Sequence, residues 1–329
     1  MHKRRLGSLS VSAIGLGCMS LSHGYGQCDP AQAEKVLLKS LDLGYDFFDT
    51  AAVYGFGANE TLLGRILKPH RQSITLASKC ALYGDSSGKR IIDGSRQNLH
   101  RMCDESLQRL QTDVIDLYYL HRKDPDTEIE ESMHALAALK QQGKIRNIGL
   151  SEVSSDTIRR AHAVHPVAAV QSEYSLWSRG AERDVLDTCR ELGIGFVPFS
   201  PVGRGMLTGK IRSTQGFSDS DFRRNMPRFA DNTFSHNLSI VDQFCALAKE
   251  LGYSPAQLTL AWLLNKGDNL IPIPGTTDLA HLAENASASE IRLTSAEIEQ
   301  IETVLHPKLI KGERYPPAGM REIDSENQP

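Results

Sequence analysis

Short apolar runs alternate with longer amphipathic segments along most of the chain. Apolar runs of about 4–8 residues between turn residues are typical of buried strands, whereas apolar residues that recur three or four positions apart are typical of helices. The pattern predicts strands over residues 14–17, 46–49, 73–79, 114–120, 145–150, 167–171, 194–199 and 269–273. It predicts helices over residues 30–43, 59–67, 95–110, 128–141, 155–164, 181–192, 236–250, 255–265, 279–287 and 295–305.

Strands and helices alternate strictly, which predicts a parallel sheet, and eight such units close into a barrel. We therefore predict the α/β class and a (β/α)8 TIM barrel formed as a single domain by residues 1–329. A β-hairpin over residues 3–13 precedes it, and extra helices lie before strand 8 and at the C-terminus. A doubly wound Rossmann sheet is the competing arrangement, but Ser20 replaces the third glycine of its fingerprint after Gly15 and Gly17.

Two segments lack the pattern. Residues 200–234 form a long irregular stretch with several glycines, and a loop of this length in a compact domain is typical of a lid or a binding loop. Residues 306–329 are polar and contain several prolines, so we expect a polar C-terminal tail that is poorly ordered apart from Tyr315 and Pro316.

Polar residues stand at the ends of three consecutive predicted strands. Asp49 follows the apolar pair Phe47 and Phe48, and an ionised carboxylate in such a place is costly unless it is paired. Lys79, at the end of the next predicted strand, is the best candidate for its partner, and His121 ends the strand after that. Because parallel barrel strands end on one face, where such barrels place their chemistry, we expect these side chains to lie together.

Tyr54 follows Asp49 by five residues and gives this group a chemical use. A tyrosine hydroxyl has an ordinary pKa of about 10 and acts as an acid near neutrality only if a cation stabilises its phenolate. Lys79 can supply that cation, Asp49 can hold Lys79 charged, and His121 can orient the carbonyl oxygen that Tyr54 protonates. A Schiff-base lyase built on Lys79 is the alternative, which Asp49 disfavours because a nucleophilic lysine must be neutral.

Composition narrows the classes of partner. The chain is 40% hydrophobic and 23% charged with a net charge of −3, as in an ordinary soluble globular protein. Nucleic-acid and membrane surfaces usually require a basic excess, so we expect neither as a partner, and we place the basic, aromatic residues 221–229 at the mouth of the site. The six cysteines form no CxxC pair and no zinc-like spacing with histidines, so we expect no metal and a reducing, cytoplasmic location.

Several motifs together resemble the aldo-keto reductase family over about Gly7 to Leu305. The chain is similar in particular to the plant and microbial branch that includes perakine reductase, through residues 158–166 and 174–177. The motifs that carry the family resemblance are Lys79 and residues 15–19, 47–54, 116–121, 149–152, 171–174 and 272–277.

The resemblance implies reduction of aldehydes and ketones to alcohols by direct hydride transfer from NADPH, with a small-molecule carbonyl compound as substrate. In that reading Tyr54 is the general acid, Lys79 lowers its pKa, Asp49 holds Lys79, and His121 positions the carbonyl. A regulatory subunit that holds the cofactor and turns over slowly, like the potassium-channel β subunits, is the alternative. The sequence makes no prediction of the oligomeric state.

The resemblance also implies a cofactor site. Ser151, Glu152 and Gln171 would hold the nicotinamide carboxamide, although Glu152 departs from the asparagine of many relatives and can only accept. Phe199 would stack on the nicotinamide ring. The full set of expected cofactor residues is Gly17, Cys18, Met19, Asp49, Ser151, Glu152, Gln171, Phe199, Ser200, Pro201, Val202, Gly203, Arg204, Gly205, Lys210, Gly275, Thr276, Thr277, His281, Glu284 and Asn285.

The adenosine end of that site decides between the two nicotinamide cofactors. Residues 274–278 start a helix, where free backbone amides favour an anion such as the 2′-phosphate of NADP(H). We therefore expect NADP(H) to be preferred. An acid such as Asp278 is unfavourable beside such a phosphate, so NAD(H) stays possible, although Asp278 is read first as a helix cap. Arg204 or Arg212 could compensate for its charge.

The expected substrate pocket is largely apolar and suits aromatic or terpenoid carbonyl compounds. It is formed by Met19, Tyr25, Tyr83, Trp177, Met226 and Phe229.

Overall fold

The computed structural model describes residues 1–85 and 89–326. Its strands are β1 Lys3–Leu6, β2 Leu9–Ser12, β3 Leu16–Gly17, β4 Phe47–Asp49, β5 Thr75–Cys80, β6 Leu82–Gly84, β7 Arg90–Ile92, β8 Ile115–Leu120, β9 Ile145–Ser151, β10 Ala169–Glu173 and β11 Gly195–Phe199. Its helices are α1 Pro30–Asp42, α2 Ala58–Leu67, α3 Arg96–Leu110, α4 Ile129–Gln141, α5 Ser155–Val164, α6 Val185–Glu191, α7 Asp231–Glu250, α8 Pro255–Asn265, α9 Leu279–Ser287, α10 Ser295–Val304 and α11 Pro317–Met320.

Seven of these strands form one parallel sheet in the order β11, β10, β9, β8, β5, β4, β3, with helices around it. The (β/α)8 architecture predicted from the sequence is confirmed. Neighbouring strands pair in parallel: Asp49 of β4 pairs with Ala77 of β5, Ala77 with Leu117 of β8, and Tyr119 of β8 with Gly149 of β9. The carboxyl ends of neighbouring strands therefore lie side by side on one face of the sheet.

Residues 269–274 close the barrel between β11 and β3. Ile271 N donates to a carbonyl of β11 at 2.9 Å, and Pro272 O accepts from the N–H of Gly15 at 3.0 Å. Pro272 and Pro274 have no N–H to donate, so this segment cannot form a continuous ladder. The eighth predicted strand is thus a hydrogen-bonded segment with a single parallel bridge to β11.

Two apolar clusters hold the barrel together. The larger one joins outward-facing strand residues such as Phe48 and Leu76 to helical residues such as Val36 and Leu99. The smaller one includes Leu6 and Val11 of the N-terminal hairpin, so the hairpin packs against inward-facing strand residues. The other buried members of that smaller cluster are Phe47, Ala77, Leu117, Tyr119, Ala169, Val197, Ile271 and Ile273.

The structure differs from the sequence-based prediction in four places. A second hairpin, β6 with β7, follows β5 and was not predicted. Helix α7 begins at Asp231, five positions before the predicted start, and α6 is shorter than predicted. The expectation of a poorly ordered tail is wrong for residues 306–326, which fold back onto the barrel; residues 327–329 lie outside the described residues.

Within residues 1–85 and 89–326, no helix combines the length and the apolar character needed to cross a lipid bilayer.

Candidate active site

A cavity of about 1180 Å³ opens at the carboxyl ends of the barrel strands. Residues that end β3, β4, β9, β10 and β11 contribute to its wall, as do the loop after β11 and the start of α9. It is therefore large enough for an extended ligand of dinucleotide size together with a small substrate.

Lys79 and Asp49 form a buried ion pair beneath this cavity. Lys79 is 0% exposed and Asp49 is 1% exposed, and Lys79 Nζ contacts Asp49 Oδ1 and donates to the Thr50 carbonyl at 2.8 Å. Gln171 Nε2 donates to the second carboxylate oxygen of Asp49 at 2.8 Å. Burial is the largest single influence and lowers the pKa of Lys79, but Asp49 and Tyr54 together outweigh it, so the net shift is upward and Lys79 is charged.

Tyr54 lies directly above Lys79. Its hydroxyl is 3.5 Å from Lys79 Nζ, and Lys79 Nζ is 5.0 Å from the ring centroid. Gly55 and Phe56 both have positive φ, 57° and 53°, so the chain turns sharply after Tyr54 and leads into α2. Burial raises the pKa of Tyr54 above 10, and Lys79 opposes that shift.

His121 follows β8 and faces Tyr54. The two rings are 6.0 Å apart in an edge-to-face arrangement. Burial, together with the positive charges of Arg122, Lys79 and Arg90, holds the pKa of His121 well below 6.5, so the imidazole is neutral at pH 7. Its Nδ1 has no hydrogen-bond partner among the described residues. We call Asp49, Tyr54, Lys79, His121 and Gln171 the strand-end cluster.

Two of the cavity residues that were not predicted from the sequence lie beside Tyr54 and His121. His23 lines the cavity with its ring 5.4 Å from that of Tyr54. Arg122 follows His121 directly, is 7% exposed and lines the cavity. The position of Arg122 at a strand exit was the signal that could have found it, whereas nothing local to His23 predicts its place.

Most of the expected cofactor residues are brought together by the fold. The members of that set that line the cavity are Gly17, Cys18, Met19, Asp49, Ser151, Gln171, Phe199, Ser200, Pro201, Val202, Arg204, Gly205, Lys210, Gly275, Thr276, Thr277, His281, Glu284 and Asn285.

Glu152 does not reach the cavity within the described part of the chain, which corrects its expected place at the carboxamide. Its carboxylate is fully occupied, since it accepts from Arg314 Nη1 at 3.0 Å, Arg314 Nη2 at 2.8 Å, the N–H of Glu173 at 2.8 Å, and the hydroxyl of Ser325. An acid here binds the tail because a buried carboxylate needs a cation, and the tail supplies one.

Most, but not all, of the residues expected from the loop after β11 line the cavity. Gly203 is buried, and a Cβ there would lie 2.8 Å from the Trp177 ring, so this glycine faces the protein interior and not the cavity. Arg204 lines the cavity, but its charge is already paired: Nη2 binds Glu173 at 2.7 Å, and the guanidinium lies 4.6 Å from the centroid of the Tyr315 ring. Arg212 pairs with Asp242 at the surface. Neither arginine is free to offset Asp278.

At the other end of the cavity, Asp278 caps α9. Its Oδ1 accepts from the N–H groups of Ala280 at 2.8 Å and His281 at 2.9 Å. Lys210 Nζ contacts His281 Nε2, and both side chains line the cavity. Two basic groups in contact with each other form a place that favours an anion.

The prediction of the substrate pocket is wrong for three of its six residues. Met19, Tyr25 and Met226 line the cavity, but Tyr83, Trp177 and Phe229 are not among its described lining residues. Trp177 and Phe229 are 2% and 3% exposed and pack edge to face with each other, so they are core residues. Tyr83 lies on the unpredicted β6–β7 hairpin against Arg101. Aromatic character alone does not distinguish a core residue from a pocket wall.

The tail supplies the wall in their place. Tyr315, Pro316, Ala318, Gly319 and Glu322 line the cavity. Behind them lies a second set of buried charges, which we call the tail cluster: Glu152, Glu173, Arg204 and Arg314.

The tail cluster is closely bonded. Arg314 binds Glu152 and also approaches Glu173 at 3.4 Å, and Ser178 donates to Glu173 at 2.7 Å. Burial alone would raise the pKa of Glu173, but Arg204, Arg314 and Arg228 together lower it to about 2. The tail is thus fixed to the barrel by charge as well as by packing.

Comparisons with known proteins agree with this geometry. The sequence model that describes the Aldo/keto reductase family matches residues 13–306. An aldo-keto reductase of Schizosaccharomyces pombe named with NADP(+) is 41% identical over 332 residues, covering 99% of this chain and 98% of its own. A probable aldo-keto reductase of Glycine max is 41% identical over 309 residues, covering 93% of this chain and 88% of its own.

Solved structures are similar over nearly the whole chain. A glycerol dehydrogenase of Gluconobacter oxydans is 28% identical with a TM-score of 0.84, covering 93% of this chain and 96% of its own. An aldo/keto reductase of Klebsiella pneumoniae in complex with NADP and acetate is 27% identical with a TM-score of 0.72, covering 96% and 99%.

Proposed function

This chain belongs to the aldo/keto reductase family and is an oxidoreductase, and from that premise we propose that it reduces aldehydes and ketones to alcohols with NADPH as hydride donor. The observation that carries the proposal is the contact between Tyr54, Lys79 and Asp49 at one end of a cavity that also holds two basic side chains at the other. This is an acid with its activating cation, placed beside a site for an extended anionic ligand.

Tyr54 acts as the general acid. Because burial raises its pKa, the phenol carries its proton at neutral pH and can give it to the oxygen of a bound carbonyl. Lys79, 3.5 Å from the hydroxyl, stabilises the phenolate that forms. Asp49 keeps Lys79 charged, which supports this role and argues against Lys79 as a Schiff-base nucleophile.

His121 positions the carbonyl. Its imidazole is neutral and edge-on to Tyr54, so it can donate a hydrogen bond to the same oxygen without competing as a proton source. Two donors that converge on the carbonyl oxygen stabilise the negative charge that develops there.

The residues present fit a nicotinamide dinucleotide. Ser151 and Gln171, the latter a member of the strand-end cluster, offer hydroxyl and amide groups to a carboxamide, and Phe199 offers an aromatic face. Lys210, which contacts His281 at the N-terminal turn of α9, offers positive charge to a terminal phosphate, which supports a preference for NADPH over NADH. When bound, NADPH supplies the hydride that reduces the carbonyl carbon.

The test follows the absorbance of the reduced nicotinamide with 4-nitrobenzaldehyde as substrate, in wild type and Tyr54→Phe, with NADPH and then NADH. We expect turnover that is faster with NADPH, and a loss of roughly 10²- to 10⁴-fold in the variant, as for removal of a general acid. The dissociation constant of NADPH, measured by fluorescence, should stay within about threefold, because the substitution removes one hydroxyl that phosphate and adenine do not touch. Equal turnover in Tyr54→Phe would sink the assignment.

A further inference from the structure

Arg122 differs from every other arginine of the described residues that is less than a tenth exposed. Arg204 and Arg314 each bind a carboxylate, and Arg4 donates to three main-chain carbonyls. Arg122 makes no ion pair with a described residue and uses one nitrogen for both of its hydrogen bonds. That nitrogen, Nη1, donates to the His121 carbonyl at 2.6 Å and to Ser151 Oγ at 3.3 Å.

The other edge of this guanidinium has no hydrogen-bond partner within residues 1–85 and 89–326. Nε is buried without a hydrogen-bond partner, and Nη2 forms no hydrogen bond with a described residue. Nε and Nη2 point the same way and form the side-on fork that binds both oxygens of a carboxylate or phosphate. A buried charge with its fork unused is costly, so it requires an explanation.

The surroundings of Arg122 supply no anion. Glu152 is the acid whose pKa is affected by Arg122, but its carboxylate is already bound by Arg314, Ser325 and the N–H of Glu173. Arg90, which also lines the cavity, is paired with Glu322 at 2.6 Å. The wall beside His121 therefore carries one positive charge with no counterion among residues 1–85 and 89–326.

We propose that the Nε and Nη2 edge of Arg122 binds an anionic group of the carbonyl substrate, so that the preferred substrates are aldehydes or ketones that also carry a carboxylate or a phosphate ester. This rests on the proposed function, because it names the substrate class of the same site. The nearness of Arg122 to His121 places the anion close to the carbonyl that Tyr54 and His121 hold. A bound anion would give Nε and Nη2 the partner that the described residues do not supply.

The experiment compares matched pairs of substrates that differ only in charge. The three isomers of carboxybenzaldehyde are each paired with their methyl esters, and glyceraldehyde 3-phosphate is paired with glyceraldehyde. For each pair, kcat/KM is measured with NADPH in wild type, Arg122→Met, Arg122→Lys and Arg90→Met. The ratio of charged to neutral kcat/KM is the readout, since a purely structural effect on His121 or Ser151 would lower both members of a pair equally.

We expect the wild type to favour the charged member of at least one pair, and Arg122→Met to lower that ratio roughly 10- to 150-fold, the range for hydrogen bonds to a charged group. Arg122→Lys should keep part of the ratio, because it preserves the charge but not the fork. Arg90→Met should change it less than about threefold, since that arginine is already paired and half exposed. The carboxylate and phosphate pairs show which anion is preferred.

A ratio that is unchanged in Arg122→Met, or a wild type with no preference for any charged member, overturns the proposal while the reductase function stands. A raised dissociation constant for NADPH with an equal loss for both members also overturns it, because Arg122 would then hold the cofactor carboxamide. If no aldehyde is reduced at all, the proposed function fails. Calorimetric titration of the NADP⁺-bound protein then tests whether Arg122 binds an anion. Benzoate should then bind the wild type more tightly than Arg122→Met and more tightly than benzamide, and equal affinities would overturn the proposal.

Discussion

The carboxyl end of the barrel carries two groups of buried charges that differ in how completely they are satisfied. In the strand-end cluster, His121 Nδ1 has no described partner and the Tyr54 hydroxyl is approached only distantly, at 3.5 Å, by Lys79. In the tail cluster, each oxygen of Glu152 accepts two hydrogen bonds. Both clusters lie in the interior, so burial alone does not explain the difference.

The pKa shifts follow the same division. Burial raises the pKa of Tyr54 although Lys79 is close, because one cation is shared with Asp49. In the tail cluster, Arg204, Arg314 and Arg228 outweigh burial and lower the pKa of Glu173 to about 2. A cluster with spare hydrogen-bonding capacity can act on a ligand, whereas a saturated one holds the chain in place.

The sharpest test of this comparison is to remove the cation of each cluster by the same change, beginning with Lys79→Met. Asp49 would lose the cation that compensates its buried carboxyl group, and breaking a buried pair in this way costs roughly 3–5 kcal/mol of unfolding free energy. Tyr54 would lose its stabilising cation, so we also expect kcat for 4-nitrobenzaldehyde to fall roughly 10²- to 10⁴-fold. Steady-state kinetics and thermal unfolding measure the two effects. A stable variant with wild-type kcat would remove the basis for calling this cluster functional.

Arg314→Met is the matching change in the tail cluster. It leaves Glu152 and part of Glu173 uncompensated, so we expect a comparable loss of roughly 3–5 kcal/mol in stability. Because no group of the strand-end cluster touches Arg314, kcat should fall less than about tenfold, with the larger effect on KM through the displaced Tyr315 wall. Arg212→Met, at an exposed pair, is the control and should cost less than about 1 kcal/mol. If the fall in kcat, expressed as a free energy, exceeded the loss of unfolding free energy, the distinction between the two clusters would be lost.

The smallest expected effect concerns pH. Since the folded pKa of Glu173 is about 2 and its ordinary value is 4.5, its contribution to stability is fully present above pH 4.5 and is lost as the pH falls towards 2. The loss amounts to about 3 kcal/mol, from 1.36 kcal/mol per unit of pKa. The melting temperature of wild type should therefore decrease more steeply between pH 5 and pH 2.5 than that of Glu173→Gln. Parallel curves for the two proteins would show that Glu173 is not held by the arginines as described.

Whether the sequence predicts that two residues meet in the site depends on where those residues stand in the chain. Asp49, Lys79 and His121 end strands that are neighbours in the sheet, in chain order. Their meeting follows from strand periodicity and the rule that parallel barrel strands end on one face, so it could be foreseen. Most residues expected to bind the cofactor likewise line the cavity, apart from Glu152 and Gly203, because they stand at strand exits, in the loop after β11 or at the start of α9.

Glu152 shows where local reasoning fails. It stands beside Ser151 at the end of β9, so its position alone suggests the cavity, but its partner Arg314 lies 162 residues further along the chain. The tail around Arg314 has no periodicity and no strong propensity, and its order depends on long-range contacts with the barrel. Trp177 and Phe229 failed for a related reason, since the same aromatic residue suits a core or a pocket equally well.

The sequence by itself determined the elements, their order and the residues that end each strand, because apolar periodicity and turn residues act over short distances and the barrel follows from their repetition. The tertiary structure decided which of those polar residues face the cavity, that the tail forms part of its wall, and that the fork of Arg122 is left without a partner among the described residues. Those features depend on packing and charge pairing between segments more than a hundred residues apart, and no local pattern encodes such contacts.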